Sequence, residues 1–245
     1  MKTKLAKLGS GAVGILVAGL AFLSLGMPAG GALMSSDRSW AVIFATDESG
    51  TAQVDEGWAL HNWLIDHGWQ EDHIVILADR DGADGEASLD NIHDAISDVA
   101  SVSGGDSLIF ISALDDVQYS DGNVYFHASD GSFSQDQLGI WINEITAYGK
   151  MAIEISGSYT GAFIQPLVGQ DRVIVTSHAS TESCDTNNYR LSVGLGMSGA
   201  DFNGDTHISL QEAHAYEAMY IMNHYENTQS PQILDCCGDF ILDVE

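Results

Sequence analysis

The chain has 245 residues and a formal net charge of −27, from 35 acidic and 8 basic side chains. That length is enough for one domain with a substantial core. A surface this acidic repels phosphate backbones and anionic lipid headgroups, which excludes nucleic-acid binding and electrostatic attachment to a membrane. It also repels itself, so we expect screening salt or bound cations to stabilise the fold. A high-salt habitat and a calcium-rich extracellular setting are both consistent with this composition.

The first 36 residues have the features of an export segment. Lysines near the start precede a continuously apolar stretch, and small residues around Ala32 form a cleavage site. No charged residue separates those lysines from Asp37, so the stretch is also long enough to span a bilayer. Residues 1–36 are therefore predicted to be a signal peptide or an uncleaved membrane anchor. Both alternatives place residues 37–245 outside the cytoplasm, secreted or at the cell surface, and limit membrane contact to the N-terminal segment.

Beyond this segment, apolar runs alternate with stretches of helical periodicity. The apolar runs predict strands at residues 40–46, 73–78, 107–114, 150–156 and 172–178. Helices are predicted between them, with Ser88 and Ser134 as N-caps, and a last helix follows over 209–224. Residues 115–132 are rich in Gly and Asp, which indicates a small hairpin.

The alternation of strands and helices predicts an α/β domain with a mostly parallel sheet and helices on both faces, which is a three-layer fold. The strands are nearly continuous apolar runs, as burial on both faces requires. In open sheets of this kind, ligands bind outside the carboxyl ends of the strands. We therefore expect residues 113–115, 156–160 and 177–179 to lie along one edge, where a functional site would be.

Over most of residues 39–232, the order and spacing of these segments resemble the legumain-like (C13) branch of the caspase-fold cysteine peptidases. The matching stretches are WAVIFA, HGWQEDHIVIL, GDSLIFIS, KMAIEI with its following loop, RVIVTS and a late acidic loop. This resemblance implies that residues 37–245 form a three-layer caspase-like domain. It also implies a groove at the strand ends that binds a peptide or protein segment.

The catalytic positions of that family are replaced in this chain. In the family, the strand that resembles SLIFIS ends in a His-Gly pair, and here Leu114 and Asp115 occupy those positions. The strand that resembles MAIEI leads to the nucleophilic Cys, which is followed by x-Ser-Gly. Here Ser158 stands at the Cys position, and residues 159–161 keep the tail of the motif as Tyr-Thr-Gly. The resemblance therefore implies a peptidase whose Cys and His are both lost.

This replacement predicts very low hydrolytic activity. A serine hydroxyl depends on a positioned base, and Leu114 cannot be one. General-base catalysis contributes about 10²–10⁴-fold, so its loss together with that of the thiol leaves little. His178, at the end of the neighbouring strand, and His127, in the Gly/Asp-rich segment, are the alternative bases. Cys184 is a further candidate nucleophile, but its acidic neighbours disfavour a thiolate.

A second motif, DFNGDTHISLQE at residues 201–212, resembles an EF-hand calcium loop. The predicted metal ligands are Asp201, Asn203, Asp205, His207 through its carbonyl oxygen, Ser209 and Glu212. Thr206 stands where Gly usually permits a sharp turn, so the site should be strained and weak. We expect a structural Ca²⁺ with a dissociation constant of roughly 10⁻⁴–10⁻³ M. The alternative is an acidic surface turn that caps the last helix.

Three hypotheses about function follow. The first is an exported, catalytically inactive homologue of the C13 peptidases that keeps a peptide-binding groove and a structural calcium site. The second is an active endopeptidase that uses Ser158 with a non-standard base such as His178. The third is a calcium-dependent structural or adhesive domain of the cell surface, in which the groove has no role.

Overall fold

The computed structural model describes residues 33–46, 52–115, 117–183, 187–225 and 229–245. These residues belong to one compact unit, Ala32–Glu245. Met34 pairs with Val244 in a parallel bridge, so the folded unit includes residues that precede position 37. The apolar stretch of the predicted export segment and Cys184 lie outside the described residues. Within the described ranges, no helix combines the length and the apolar character that crossing a membrane requires.

The strands and helices follow the predicted order, with additions near the C-terminus. The strands of the described chain are β1 Ser39–Ala45, β2 Ile74–Ala78, β3 Leu108–Leu114, β4 Gln118–Ser120, β5 Asn123–Ala128, β6 Gly131–Ser134, β7 Lys150–Ser156, β8 Arg172–Thr176 and β9 Gln232–Asp235. The helices are α1 Ala52–Asp66, α2 Leu89–Val102, α3 Gln135–Ile142, α4 Ile164–Leu167, α5 Leu191–Gly196 and α6 Leu210–His224. Both predicted N-caps are present, because the hydroxyls of Ser88 and Ser134 accept hydrogen bonds from the first turns of α2 and α3.

The main sheet has the strand order β2-β1-β3-β7-β8-β9. The first five strands are parallel, and β9 pairs antiparallel with β8 at one edge. Ala41 and Ile43 of β1 pack with α1, α5 and α6 on one face, whereas Val42 and Phe44 pack with α2 and α3 on the other. This alternation buries both faces, so the predicted three-layer α/β fold with a mostly parallel sheet is confirmed.

The register of the central strands brings their carboxyl ends together. Ala45 of β1 is paired with Leu114 of β3, and Leu114 is paired with Ser156 of β7. In the next strand, Thr176 is paired with Ile155. The loops that follow β3, β7 and β8 therefore meet at one edge of the sheet, as the sequence predicted.

The segment between β3 and α3 forms a second, antiparallel sheet with the order β4-β5-β6. A two-residue turn joins β4 to β5, and Asp121 and Gly122 in it have φ of 53° and 85°. Positive φ at both positions is typical of a type I′ hairpin. Phe126 of β5 lies 5.2 Å from Phe44, measured between ring centroids, which fixes this small sheet to the core. The predicted hairpin is thus part of a three-stranded sheet.

Two carboxyl groups lie inside the core on the face covered by α1, α5 and α6. Glu154 of β7 is fully buried, and its Oε2 accepts a hydrogen bond of 2.8 Å from the hydroxyl of Ser112. Glu56 of α1 accepts hydrogen bonds from the amide and the hydroxyl of Ser192, at 2.9 and 2.8 Å. The nearest cation is Arg190, whose Nε lies 4.0 Å from Oε2 of Glu56. The other oxygen of Glu154 is buried without a hydrogen-bond partner in the described chain.

These carboxyl groups favour their protonated forms. Burial, followed by the charge of Glu56, raises the pKa of Glu154 to about 8. Burial also raises the pKa of Glu56, and it raises the pKa of the nearby Glu217 of α6 to about 7. An acid whose pKa is higher in the folded state than in the unfolded state stabilises the fold only while it stays protonated. The stability that these three acids contribute should therefore fall as the pH rises.

Replacement of Glu154 by Gln should remove much of this pH dependence. The contribution of Glu154 is complete below its ordinary pKa of 4.5 and is lost as the pH rises through about 8. Between about pH 5 and about pH 9, urea unfolding should show a loss of stability that is smaller in Glu154→Gln than in wild type by on the order of 3 kcal/mol, because Glu56 and Glu217 still titrate in the variant. Glu71→Gln, at an exposed position, is the control. Equal pH profiles for Glu154→Gln and wild type would contradict this assignment.

Candidate functional site

The carboxyl ends of β3 and β7 and the strand β4 border an open cleft of about 520 Å³. The described residues that line it are Val117, Gln118, Tyr119, His127, Ser158, Tyr159 and Ser183. They supply hydroxyl, amide, phenol and imidazole groups and no carboxylate. The absence of carboxylates from the described lining contrasts with the net charge of −27 of the whole chain. A concave surface with a few converging polar groups is where ligands bind, so the cleft is the candidate site.

A sharp turn after β7 presents Ser158 to this cleft. Gly157 has φ of 152°, which side chains rarely adopt, and Tyr159 is left-handed with φ of 60°. The hydroxyl of Ser177, at the end of β8, accepts a hydrogen bond of 2.9 Å from the amide of Gly157 and lies 3.0 Å from its carbonyl oxygen. The turn is thereby fixed to the neighbouring strand. Ser158 is half-buried at its apex.

The position that resembles the family's histidine is part of the core. Leu114 has no exposed surface, and it packs in the hydrophobic cluster on the α1 face of the sheet. Its side chain therefore points into the interior and contributes packing. No imidazole stands at this position to act on Ser158, as the sequence indicated.

Three backbone amides around Ser158, those of Asp115, Gly157 and Tyr159, already donate hydrogen bonds within the protein. The amide of Asp115 donates to the carbonyl oxygen of Ser156 at 3.0 Å. The amide of Gly157 donates to Ser177 Oγ at 2.9 Å, and that of Tyr159 donates to the carbonyl oxygen of Glu182 at 2.7 Å. Acyl transfer needs donors aimed at the oxygen that becomes negatively charged in the transition state. Each of these three amides would have to break an internal bond before it could serve that purpose.

A histidine and an aspartate from the neighbouring elements form a pair beside Ser158. His127 of β5 donates its backbone N–H to Oδ2 of Asp115 at 2.5 Å, and its Nδ1 lies 3.2 Å from the same oxygen. The hydroxyl of Thr46 donates to the carbonyl oxygen of His127 at 2.7 Å. Asp115 is 1% exposed, and burial raises its pKa, while the hydrogen bonds from His127 oppose that rise. His127 is therefore fixed in place, and it lines the same cleft as Ser158.

The other candidate base, His178, has a different environment. Its side chain is fully buried, and its Nδ1 lies 2.9 Å from the hydroxyl of Ser177. Its backbone holds the turn after β7, since its N–H donates to Thr160 Oγ1 at 3.1 Å and its carbonyl oxygen accepts from Gly161. Burial lowers the pKa of His178. The structure thus brings His127 to the cleft with Ser158 and places His178 beneath the turn.

One wall of the cleft is aromatic. The rings of Tyr119 and Tyr159 have centroids 5.5 Å apart, and Tyr119 of β4 is 54% exposed. Tyr119 cannot be recognised as a site residue from the sequence, because β4 has only three residues and all of them are exposed. The available signal was Asp121-Gly122, a pair typical of a tight hairpin turn, between QYS and NVYF.

In the loop at residues 201–212, Thr206 has the positive φ that its position in the motif predicts. Thr206 has φ of 76°, at the position where calcium loops usually have Gly. The carboxylate of Asp201 accepts hydrogen bonds from the amides of Gly204 and Thr206, at 2.7 and 3.2 Å. Asn203 Oδ1 accepts from the amide of Asp205, whose Oδ1 accepts from the amide of His207. These bonds close the loop on its own side chains.

The last predicted ligand, Glu212, joins the loop to α6. Its Oε1 accepts from the amides of Phe202 and Asn203 at 3.0 and 3.1 Å, and its Oε2 accepts from the amide and hydroxyl of Ser209. Ser209 in turn caps α6, so the two residues form a capping box. Within the described ranges, no group of three or more His, Cys, Asp or Glu side chains is arranged to hold a metal ion. The donors are the oxygens that Ca²⁺ prefers, but Glu212 would have to exchange amide hydrogen bonds for a cation.

Comparison with known proteins identifies the fold and no family. No protein-family profile matches the chain, and no curated protein sequence does. Among solved structures, the crystal structure of protein GSU0716 from Geobacter sulfurreducens is similar, with a TM-score of 0.55 and 10% sequence identity. The similarity covers 80% of this chain and 92% of that one. At this identity the likeness concerns the fold alone.

The turn after β7 should tolerate no side chain at Gly157. A Cβ there would overlap the carbonyl oxygen of Asp115, and the φ of 152° adds strain. We expect Gly157→Ala to lower the free energy of unfolding by about 3 kcal/mol or more, and the melting temperature by roughly 6–12 °C. Gly105→Ala is the matched control, because a Cβ at Gly105 meets nothing within 4 Å. Similar melting temperatures for the two variants would show that the turn is looser than described.

Proposed function

We propose that this domain is an exported homologue of the legumain-like peptidases that binds a peptide or protein segment in the cleft without hydrolysing it. The observation that carries this proposal is that the amides of Asp115, Gly157 and Tyr159 are already bonded internally around Ser158. The core position of Leu114 supports it, because that residue replaces the family's base. The cleft at the strand ends is open to solvent, as a binding site for a peptide requires.

The expected deficit in hydrolysis is large. A general base contributes about 10²–10⁴-fold, and a single oxyanion donor contributes about 10²–10³-fold. A serine without the family's base and with occupied amides should therefore be slower than a competent enzyme by at least about 10⁴-fold. Binding does not depend on those groups. It needs apolar surface and a few polar partners, which Tyr119, Tyr159 and Gln118 provide.

A second candidate function, hydrolysis by Ser158 with His127 as the base, has one specific observation in its favour. His127 lines the cleft with Ser158, and the buried carboxylate of Asp115 lies 3.2 Å from its Nδ1. In serine hydrolases a carboxylate holds the histidine in this way while its other nitrogen acts on the serine. This arrangement favours His127 over His178, which is buried beneath the turn.

Turnover of a mixed fluorogenic peptide library separates the two candidates. We expect the full-length protein, Ser158→Ala and Ser158→Cys all to be inactive, since the occupied amides disable a thiolate as well as a hydroxyl. Ser183→Ala, which removes another hydroxyl from the same cleft, is the control. Turnover that disappears in Ser158→Ala and in His127→Ala but persists in Ser183→Ala would establish the hydrolase instead.

We also propose that the loop at residues 201–212 binds Ca²⁺ weakly and that the ion stabilises the start of α6. The spacing of the oxygen donors and the positive φ of Thr206 support this proposal. An ion bound only by the folded state raises stability in proportion to the logarithm of its concentration. A weak site can therefore still contribute in a calcium-rich extracellular medium.

Calcium should raise the melting temperature through this loop. With a dissociation constant of about 10⁻³ M, about 10 mM Ca²⁺ adds about 1.4 kcal/mol, or roughly 3–6 °C. Asp201→Asn/Asp205→Asn should abolish this rise, while Asp79→Asn/Asp81→Asn removes the same charge from an exposed loop and should keep it. Thermal melts in Ca²⁺, in Mg²⁺ and in NaCl of equal ionic strength provide the measurement. An equal rise in all three salts would mean that charge screening alone acts.

A further inference from the structure

The three-residue strand β4 is an edge strand beside the cleft. Among the residues that the structure describes, β4 pairs with β5 alone, and its three residues are all exposed. Gln118 and Tyr119 of this strand also line the cleft. Natural edge strands are often kept from pairing by a very short length, and many also carry charged residues or Pro for the same purpose. Gln118–Ser120 has neither, although the rest of the chain is rich in acidic residues.

Hydrogen-bonded and non-hydrogen-bonded pairs alternate along the hairpin, and this pattern shows which backbone groups of β4 face the open edge. Tyr119 is directly opposite Val124, and the amide of Val124 donates to Gln135 Oε1 at 2.7 Å instead of to β4. Tyr119 and Val124 therefore form a pair without mutual hydrogen bonds. The length of the turn leads to the same assignment. The residues that flank a two-residue turn, here Ser120 and Asn123, form a hydrogen-bonded pair, and the next pair along the strands, Tyr119 and Val124, is not hydrogen-bonded.

It follows that the N–H and the C=O of Tyr119 point away from β5, toward the free edge. An extended chain that approaches this edge would receive one hydrogen bond from Tyr119 N–H and donate one to Tyr119 C=O. Its side chains would alternate between the two faces of the small sheet. The aromatic wall of Tyr119 and Tyr159 lies beside that path and offers a surface for an apolar or aromatic side chain.

We propose that the ligand is an extended peptide segment of another protein that adds to β4 as a fourth strand of the small sheet. This inference rests on the proposed function, since it specifies how the cleft holds a peptide. Addition of a strand to an exposed edge is a known mode of peptide recognition, in which backbone bonds give affinity and neighbouring pockets give specificity. A second copy of this chain is disfavoured as the occupant, because two proteins with a net charge of −27 repel each other.

The test distinguishes the contribution of the Tyr119 backbone N–H to peptide binding from that of the Tyr119 ring. Peptides are first selected on the full-length protein from a randomised octapeptide phage library, and the best one is synthesised with both termini capped. Tyr119→Ala removes the ring and keeps the N–H, whereas Tyr119→Pro removes both. Pro is tolerated on an edge strand where the N–H faces solvent, so the pairing of β4 with β5 should survive. Equal melting temperatures of the two variants confirm that they fold alike.

We expect Tyr119→Pro to bind the selected peptide about tenfold more weakly than Tyr119→Ala, which is the loss of one hydrogen bond. A scan in which each peptide residue is N-methylated in turn gives an independent readout on the wild-type protein. The residue that donates to Tyr119 C=O should lose binding when it is methylated, while both of its immediate neighbours tolerate the change. This scan decides the question even if Tyr119→Pro does not fold.

The outcomes distinguish this inference from the proposed function. Selected peptides that bind equally to both variants, and that tolerate N-methylation throughout, would overturn strand addition and leave peptide binding intact. A library that yields no binder would overturn the proposed function and strand addition with it. A tenfold difference together with alternating sensitivity to N-methylation supports both.

Discussion

The backbone and side-chain contacts of Asp115 join the three elements that shape the cleft, which are the end of β3, the turn after β7 and the small sheet. Its amide donates to Ser156 at 3.0 Å, which ties the end of β3 to the end of β7. Its carbonyl oxygen occupies the space that a side chain at Gly157 would need, so the turn after β7 closes against it. Its buried carboxylate accepts the backbone N–H of His127 at 2.5 Å and attaches the small sheet. The position of Ser158, the placement of His127 and the border of the cleft all depend on this residue.

The bonds that stabilise this edge also limit its chemistry. An active site keeps donors unsatisfied so that they can act on the transition state, and it carries the strain that this requires. Here the amides of Asp115, Gly157 and Tyr159 are satisfied internally, and Leu114, at the position that resembles the histidine of the C13 peptidases, belongs to the core. What remains is a cleft whose described lining has no carboxylate, with an aromatic wall and an open strand edge. Those features are better suited to binding the backbone of a peptide than to hydrolysing its peptide bonds.

The fold was predictable from local sequence patterns, whereas the positions of the site residues depend on packing between segments that are distant in the sequence. The apolar runs and the caps Ser88 and Ser134 are readable because their signals lie within a few residues. The strand β9 is short and partly exposed, and α5 is a Gly-containing run without helical periodicity, so neither was expected. The choice between His127 and His178 depended on how the small sheet folds back, which no local pattern contains. Glu154 has the appearance of an exposed strand residue, and only the covering helices bury it.

The most direct test of the central claim measures binding and cleavage on the same sample. The full-length protein is incubated with a defined pool of capped peptides, and mass spectrometry then compares the retained peptides with those in the flow-through. The proposed function predicts that a subset is enriched on the protein and recovered intact after prolonged incubation, and that Tyr119→Ala reduces this enrichment. Recovery of cleaved products from wild type but not from Ser158→Ala would contradict it, and so would the absence of any enrichment.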